Sequence, residues 1–122
     1  MLIACAGTEW GNPNEEKWFE YMHSYAPYNN IKAGVKYPAL LLTTGLHDPR
    51  VGYWEGAKFT AKVRECYRQN VAEDHSAGEN LIMLKTDMST GHFSASDRYK
   101  YLKEASAEYA FILSHICPTK AE

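Results

Sequence analysis

Two short apolar runs, each spilling into a charged loop, decide what this chain folds into. The first, "PALLLTTG" at residues 38–45, is bounded by Pro38 and Gly45; the second, "NLIMLKTD" at residues 80–87, has the same length and character. Both are continuously apolar rather than alternating, which suits strands covered on both faces, as in a parallel sheet. Between them, Tyr53 to about Gln69 has helical periodicity. Tyr53, Ala57, Thr60, Arg64 and Tyr67 recur at steps of three and four, widened by Trp54 and Ala61, and Phe59, Val63 and Cys66 form a second face. A helix between two such strands reads as the crossover of a parallel pair.

The remaining segments fit that plan. Residues 14–24 predict a helix with Asn14 as N-cap, acids in its first turn, and Trp18, Tyr21 and Met22 at helical spacing. Asn29 and Asn30 after Pro27 carry turn chemistry, and the polar stretch from residue 70 to 79 reads as an exposed loop. In the last helix Leu102, Ala105, Tyr109, Ile112 and Ile116 make one apolar stripe, with Ser94 or Ser96 as its cap. Trp18, Trp54, Tyr99 and Tyr109 are expected on helix faces that cover the sheet, and Trp10 and Tyr53 nearer its rim.

The order helix, strand, helix, strand, helix predicts an α/β fold with parallel strands and a right-handed crossover. Two strands do not make a stable open sheet, so the sheet is expected to find neighbours in a larger domain or by self-association through its exposed edge.

Composition narrows the class. With 122 residues, 45% hydrophobic and 23% charged, the chain has the makings of one globular domain. A net charge of -2 without a basic stripe argues against nucleic acid as a partner. The run Ala39 to Leu42 is far below the roughly 18 apolar residues that cross a bilayer, and "MLIACAG" is too short and uncharged for a secretory signal. Cys5, Cys66 and Cys117 are odd in number and widely spaced, which reads as reduced, structural thiols. No membrane partner and a cytoplasmic location are the expectations.

In open α/β sheets the groups that act on ligands gather beyond the carboxyl ends of the strands. The first run delivers His47, Asp48 and Arg50 there; the second delivers Asp87 and then Gly91-His92. An Asp and a His on one rim are what a hydrolase needs to position a general base, the carboxylate fixing the imidazole tautomer and stabilising the imidazolium. Other readings compete. Asp48 also suits a plain turn residue, Arg50 an ion-pair partner of Asp48, and His47, Asp48, Asp87 and His92 together a metal site. No G-x-S-x-G elbow occurs, and the serines near His92 lie in loops.

Three blocks, "EWGNPNEEKWFEYMHSYAPYNNI", "YPALLLTTGLHDPRVGYWEGAKFTAKVRE" and "LKTDMSTGHFSASDRYKYLKEASAEYAFIL", resemble the C-terminal end of the oligopeptidase B branch of the prolyl oligopeptidase family of serine peptidases. The resemblance runs from about Thr8 to Leu113. It implies the C-terminal portion of an α/β-hydrolase fold over residues 8–122, with residues 1–7 unrelated or divergent. It also implies a peptide substrate, in the parent enzyme cleaved after Arg or Lys, and no cofactor or metal. Carried over by position, Asp48 becomes the triad acid, His92 the triad base and Arg50 a substrate-binding arginine; His47 supports the loop. The family's "GGSAGG"-like nucleophile block is absent, as is its β-propeller, and "MLIACAG" stands where relatives carry an acidic pair that reads a basic side chain. The isolated chain is therefore expected to be inactive, at most an interaction module.

Overall fold

The computed structural model describes residues 9–71, 81–93 and 97–117. Along them run helix α1 (Glu16–Tyr25), strand β1 (Leu40–Gly45), helix α2 (Tyr53–Val71), strand β2 (Ile82–Asp87) and helix α3 (Arg98–Ile116), in the predicted order. The strands pair in parallel, from Leu40 opposite Ile82 to Gly45 opposite Asp87. Because they end in register, the two charged loops leave from the same rim.

Side chains alternate along a strand, so Leu40, Leu42 and Thr44 share one face with Ile82, Leu84 and Thr86. That face meets α2. Ile31, Val63, Cys66 and Ile82 are buried together, with Tyr37, Leu40 and Phe59 packed against them. The hydroxyls of Thr44 and Thr86 bond across the strands at 2.9 Å. Arg64 donates from Nε and Nη2 to the Ile82 carbonyl at 2.9 and 2.6 Å, a second tie between helix and strand. Helix and sheet approach closely at Gly56, where an added Cβ would stand 2.6 Å from Thr44 Cγ2 and 3.5 Å from Leu84 Cδ1. A glycine there costs the helix about 0.5–1 kcal/mol relative to alanine, and the close approach requires it.

Of the two faces predicted for α2, the one carrying Phe59, Val63 and Cys66 holds the core, with Thr60 and Tyr67 buried beside it. Trp54 and Ala61 do not widen it. At 100° per residue they stand opposite Val63, and Trp54 is 49% exposed.

The caps also differ from expectation. Glu15, not Asn14, precedes α1, because Asn14 is held in the turn before it: its backbone N–H donates to Asn12 Oδ1 at 3.1 Å. Asp97 caps α3, accepting from the Tyr99 N–H at 3.0 Å. Ser94 and Ser96 lie outside the described residues, as do Cys5 and the predicted loop from residue 72 onward. Cys66 is buried, whereas Cys117 is an exposed free thiol rather than a structural one.

The largest correction concerns α3. It buries no residue, and Leu102, Tyr109, Ile112 and Ile116 of the predicted packing stripe are 48, 66, 45 and 70% exposed. Tyr99 is likewise exposed. The described sheet has two strands, and the helix that packs against both of them is α2 rather than α3. Among the described residues no helix is long and apolar enough to cross a membrane.

Candidate active site

Each strand hands over to its loop by the same device. After β1, Asp48 Oδ1 accepts the backbone N–H groups of Arg50 at 2.8 Å and Val51 at 3.0 Å. At the end of β2, Asp87 Oδ1 accepts those of Ser89 at 2.7 Å and Thr90 at 3.0 Å. A short carboxylate that bonds the backbone two and three residues onward makes a tight turn and ends the strand. The two turns are stitched together, Leu46 N–H donating to the Asp87 carbonyl at 2.8 Å and His47 N–H to the Thr90 carbonyl at 3.1 Å. Gly45 permits this. A Cβ on it would lie 2.5 Å from the Gly91 carbonyl oxygen and 2.8 Å from that of Thr90, so any larger residue would part the loops.

The stitching brings Asp48 to His92. Asp48 Oδ2 stands 2.9 Å from His92 Nδ1, with 10% of the aspartate side chain and 33% of the histidine side chain exposed. Burial pushes the Asp48 carboxyl up, but the N–H groups of Val51 and Arg50 and the His92 ring together hold it below the usual aspartate value. It is therefore an anion at neutral pH. A carboxylate only accepts, so Nδ1 of His92 is the donor and the Nε2 lone pair is left free to take a proton.

The other predicted residues fall around this pair. His47 is exposed and contributes its backbone N–H to the Thr90 carbonyl. Arg50 does not pair with the Asp48 carboxylate; its guanidinium lies over the Phe93 ring at 5.4 Å, and that ring meets His92 edge-on at 5.2 Å. Asp87 is turned to Lys100, whose Nζ stands 2.8 Å from Oδ2 and 3.0 Å from Oδ1. Lys100 and then the Ser89 N–H hold the Asp87 carboxyl far below the usual aspartate range. Of the four residues read as a metal candidate, Asp48 is paired with His92, Asp87 is paired with Lys100, and His47 bonds through its backbone; among the described residues no three His, Cys, Asp or Glu side chains converge as a metal set. A cleft of about 180 Å³ opens between sheet and α3, lined by Asp48 and His92 together with Thr43, Lys85, Glu104 and Glu108.

Sequence reasoning missed Phe93, Ser89 and Lys100. For Ser89 alone a signal was present: "DPRV" and "DMST" repeat an Asp followed at two and three positions by the residues whose N–H groups it binds.

Comparison with known proteins identifies the family. The profile of the prolyl oligopeptidase family matches residues 3–119. The chain is 44% identical over 115 residues to "Protease 2" of Moraxella lacunata, covering 94% of this chain and 15% of that protein. It is 36% identical over 108 residues to "Dipeptidyl aminopeptidase BI" of Pseudoxanthomonas mexicana, covering 88% of this chain and 14% of that one. A solved prolyl endopeptidase structure superposes with a TM-score of 0.75 at 25% identity, over 90% of this chain and 15% of the other. The chain thus spans about 15% of the length of such relatives. Two parallel strands, the helix between them and the fold of that neighbour make this a portion of an α/β-hydrolase catalytic domain. The chain belongs to the prolyl oligopeptidase family of serine peptidases.

Proposed function

We propose that residues 8–122 form the C-terminal part of a serine peptidase catalytic domain and supply two members of its triad, Asp48 as orienter and His92 as general base. The observation that carries this is the 2.9 Å contact between Asp48 Oδ2 and His92 Nδ1, made while the other Asp48 oxygen is fixed by two backbone N–H groups. His92 Nε2 takes the proton of a serine hydroxyl as the serine oxygen attacks the peptide carbonyl. Asp48 stabilises the imidazolium. The same proton is then given to the leaving amine as the C–N bond breaks, and a water repeats the sequence to release the acid. Arg50, exposed beside Phe93, holds the substrate backbone. The resemblance to oligopeptidase B assigns the parent enzyme a preference for cleavage after Arg or Lys. A cytoplasmic location rests on the odd, widely spaced cysteines.

These 122 residues hold no G-x-S-x-G elbow, so the nucleophile of this reading lies elsewhere in the catalytic domain and the chain alone forms no acyl-enzyme. Purified chain is expected to remain unlabelled by a serine-directed fluorescent phosphonate and to leave an Arg-containing fluorogenic peptide uncleaved. Stoichiometric labelling would contradict the assignment.

A second reading, an interaction module without catalysis, is favoured by the exposed stripe on α3 and by the single pairing partner each strand has among the described residues. It predicts self-association, seen as a rise in mass with concentration in light scattering.

A further inference from the structure

Asp48 is not the only hold on the loop that carries His92. We infer that the ion pair of Asp87 with Lys100 is a positioning device for His92, a role that rests on the reading of His92 as the base.

The path runs through named bonds. Lys100 stands two residues inside the first turn of α3, a helix that buries none of its residues, and its Nζ reaches both oxygens of Asp87, at 2.8 and 3.0 Å. It also contacts Ser89 Oγ, which in turn donates to Asp87 Oδ1 at 2.9 Å. Asp87 Oδ1 holds the N–H groups of Ser89 and Thr90, and the Thr90 carbonyl accepts from His47, the residue beside Asp48. His92 follows Thr90 by two residues. The Lys100 ammonium therefore fixes the carboxylate that fixes the turn, and the turn fixes both the height of His92 above the rim and its distance from Asp48. The side chains of Asp87 and Lys100 are 19 and 33% exposed, so the pair is shielded from water and salt more than a surface bridge is.

The two rim aspartates are equivalent in design. Each binds two backbone N–H groups with Oδ1 and presents Oδ2 to a nitrogen, His92 for Asp48 and Lys100 for Asp87. Without its lysine, Asp87 still closes the turn but loses the tether that sets the turn's orientation. His92 then samples positions in which Nδ1 is out of reach of Asp48.

The test is nuclear magnetic resonance of the full 122-residue chain with 15N-labelled histidine. Long-range proton–nitrogen spectra identify which His92 nitrogen carries the proton, and the Nδ1 proton itself is seen as a low-field resonance when the bond to Asp48 is formed. Wild-type chain is expected to show the Nδ1–H tautomer and that resonance. In Lys100→Met the low-field resonance is expected to disappear and the two tautomers to mix, while far-UV circular dichroism stays at the wild-type level; Lys100→Arg is expected to restore the signal. Asp87→Asn keeps one oxygen to close the turn and replaces the oxygen that faces Lys100 with an amide NH2, so it breaks the ion pair and reports the same loss if Lys100→Met fails to fold. Lys103→Met, one turn along the same helix, serves as the control and leaves the spectrum unchanged. A persistent low-field resonance in folded Lys100→Met or Asp87→Asn overturns the positioning role while leaving the Asp48–His92 pair intact. Its absence from the wild-type chain contradicts the pair itself, and the positioning role with it.

Discussion

Asp48 divides two tasks between two oxygens. Oδ1 ends the strand's loop as a turn residue would, and Oδ2 faces His92, so acting as a turn residue does not occupy the oxygen that the proposed catalytic role uses. From sequence, Asp48 and His92 were visible as residue types delivered to one rim, and the family resemblance attached roles to them. Phe93 and Lys100 were not, because a ring stacked under an arginine and a lysine reaching back from the next helix depend on how three segments converge. Both rim aspartates have their folded pKa depressed. A depressed carboxylate adds stability that is complete above its unfolded value, near 3.9, and is lost as pH falls through the folded value. Urea unfolding between about pH 6 and about pH 3 is thus expected to show a stability that is flat at the upper end and declines below about pH 4. Asp87→Asn should decline less steeply over the same interval; an unchanged slope would mean that Asp87 is no more stabilised in the folded chain than in the unfolded one.

Among the elements, the strands were the most legible. Their continuous apolar runs survive as β1 and β2, each trimmed only at its start, because six paired residues are all that the partner strand spans. Helix α2 was legible in extent but ambiguous in facing, since its sequence offers two candidate faces and the sheet selects the one around Val63. Caps were the weak point. Asn14 looks like a cap in isolation, yet Asn12 captures its N–H first, while the cap of α3 falls on Asp97. Removing that cap by Asp97→Ala is expected to lower stability by about 1 kcal/mol, within the 0.5–2 kcal/mol usual for such caps. Chemical denaturation reads this directly, and a change below about 0.3 kcal/mol would show that the Tyr99 N–H finds another acceptor.

For the molecule as a whole, the apolar runs already implied that more sheet is required than this chain describes, and the exposure of α3 is the counterpart of that requirement. Leu113 joins Ile112 and Ile116 in leaving 57, 45 and 70% of their surfaces open, an apolar area that favours burial against another surface at roughly 25 cal/mol per Å². The double variant Ile112→Lys with Ile116→Lys is expected to shift the chain toward monomer in light scattering without changing its helix content. An unchanged mass would place the association elsewhere, at the strand edges. Grafting tests whether Asp48 and His92 are the orienter and base of a serine peptidase. Residues 8–122 would replace the matching segment of the Moraxella lacunata protease, to which the chain is 44% identical, and hydrolysis of that enzyme's own peptide substrate would be measured. An active chimera is expected, in which Asp48→Asn lowers kcat by about 10⁴ with the protein still folded and still binding substrate. A folded chimera without activity, or one whose Asp48→Asn variant keeps its kcat, would contradict it.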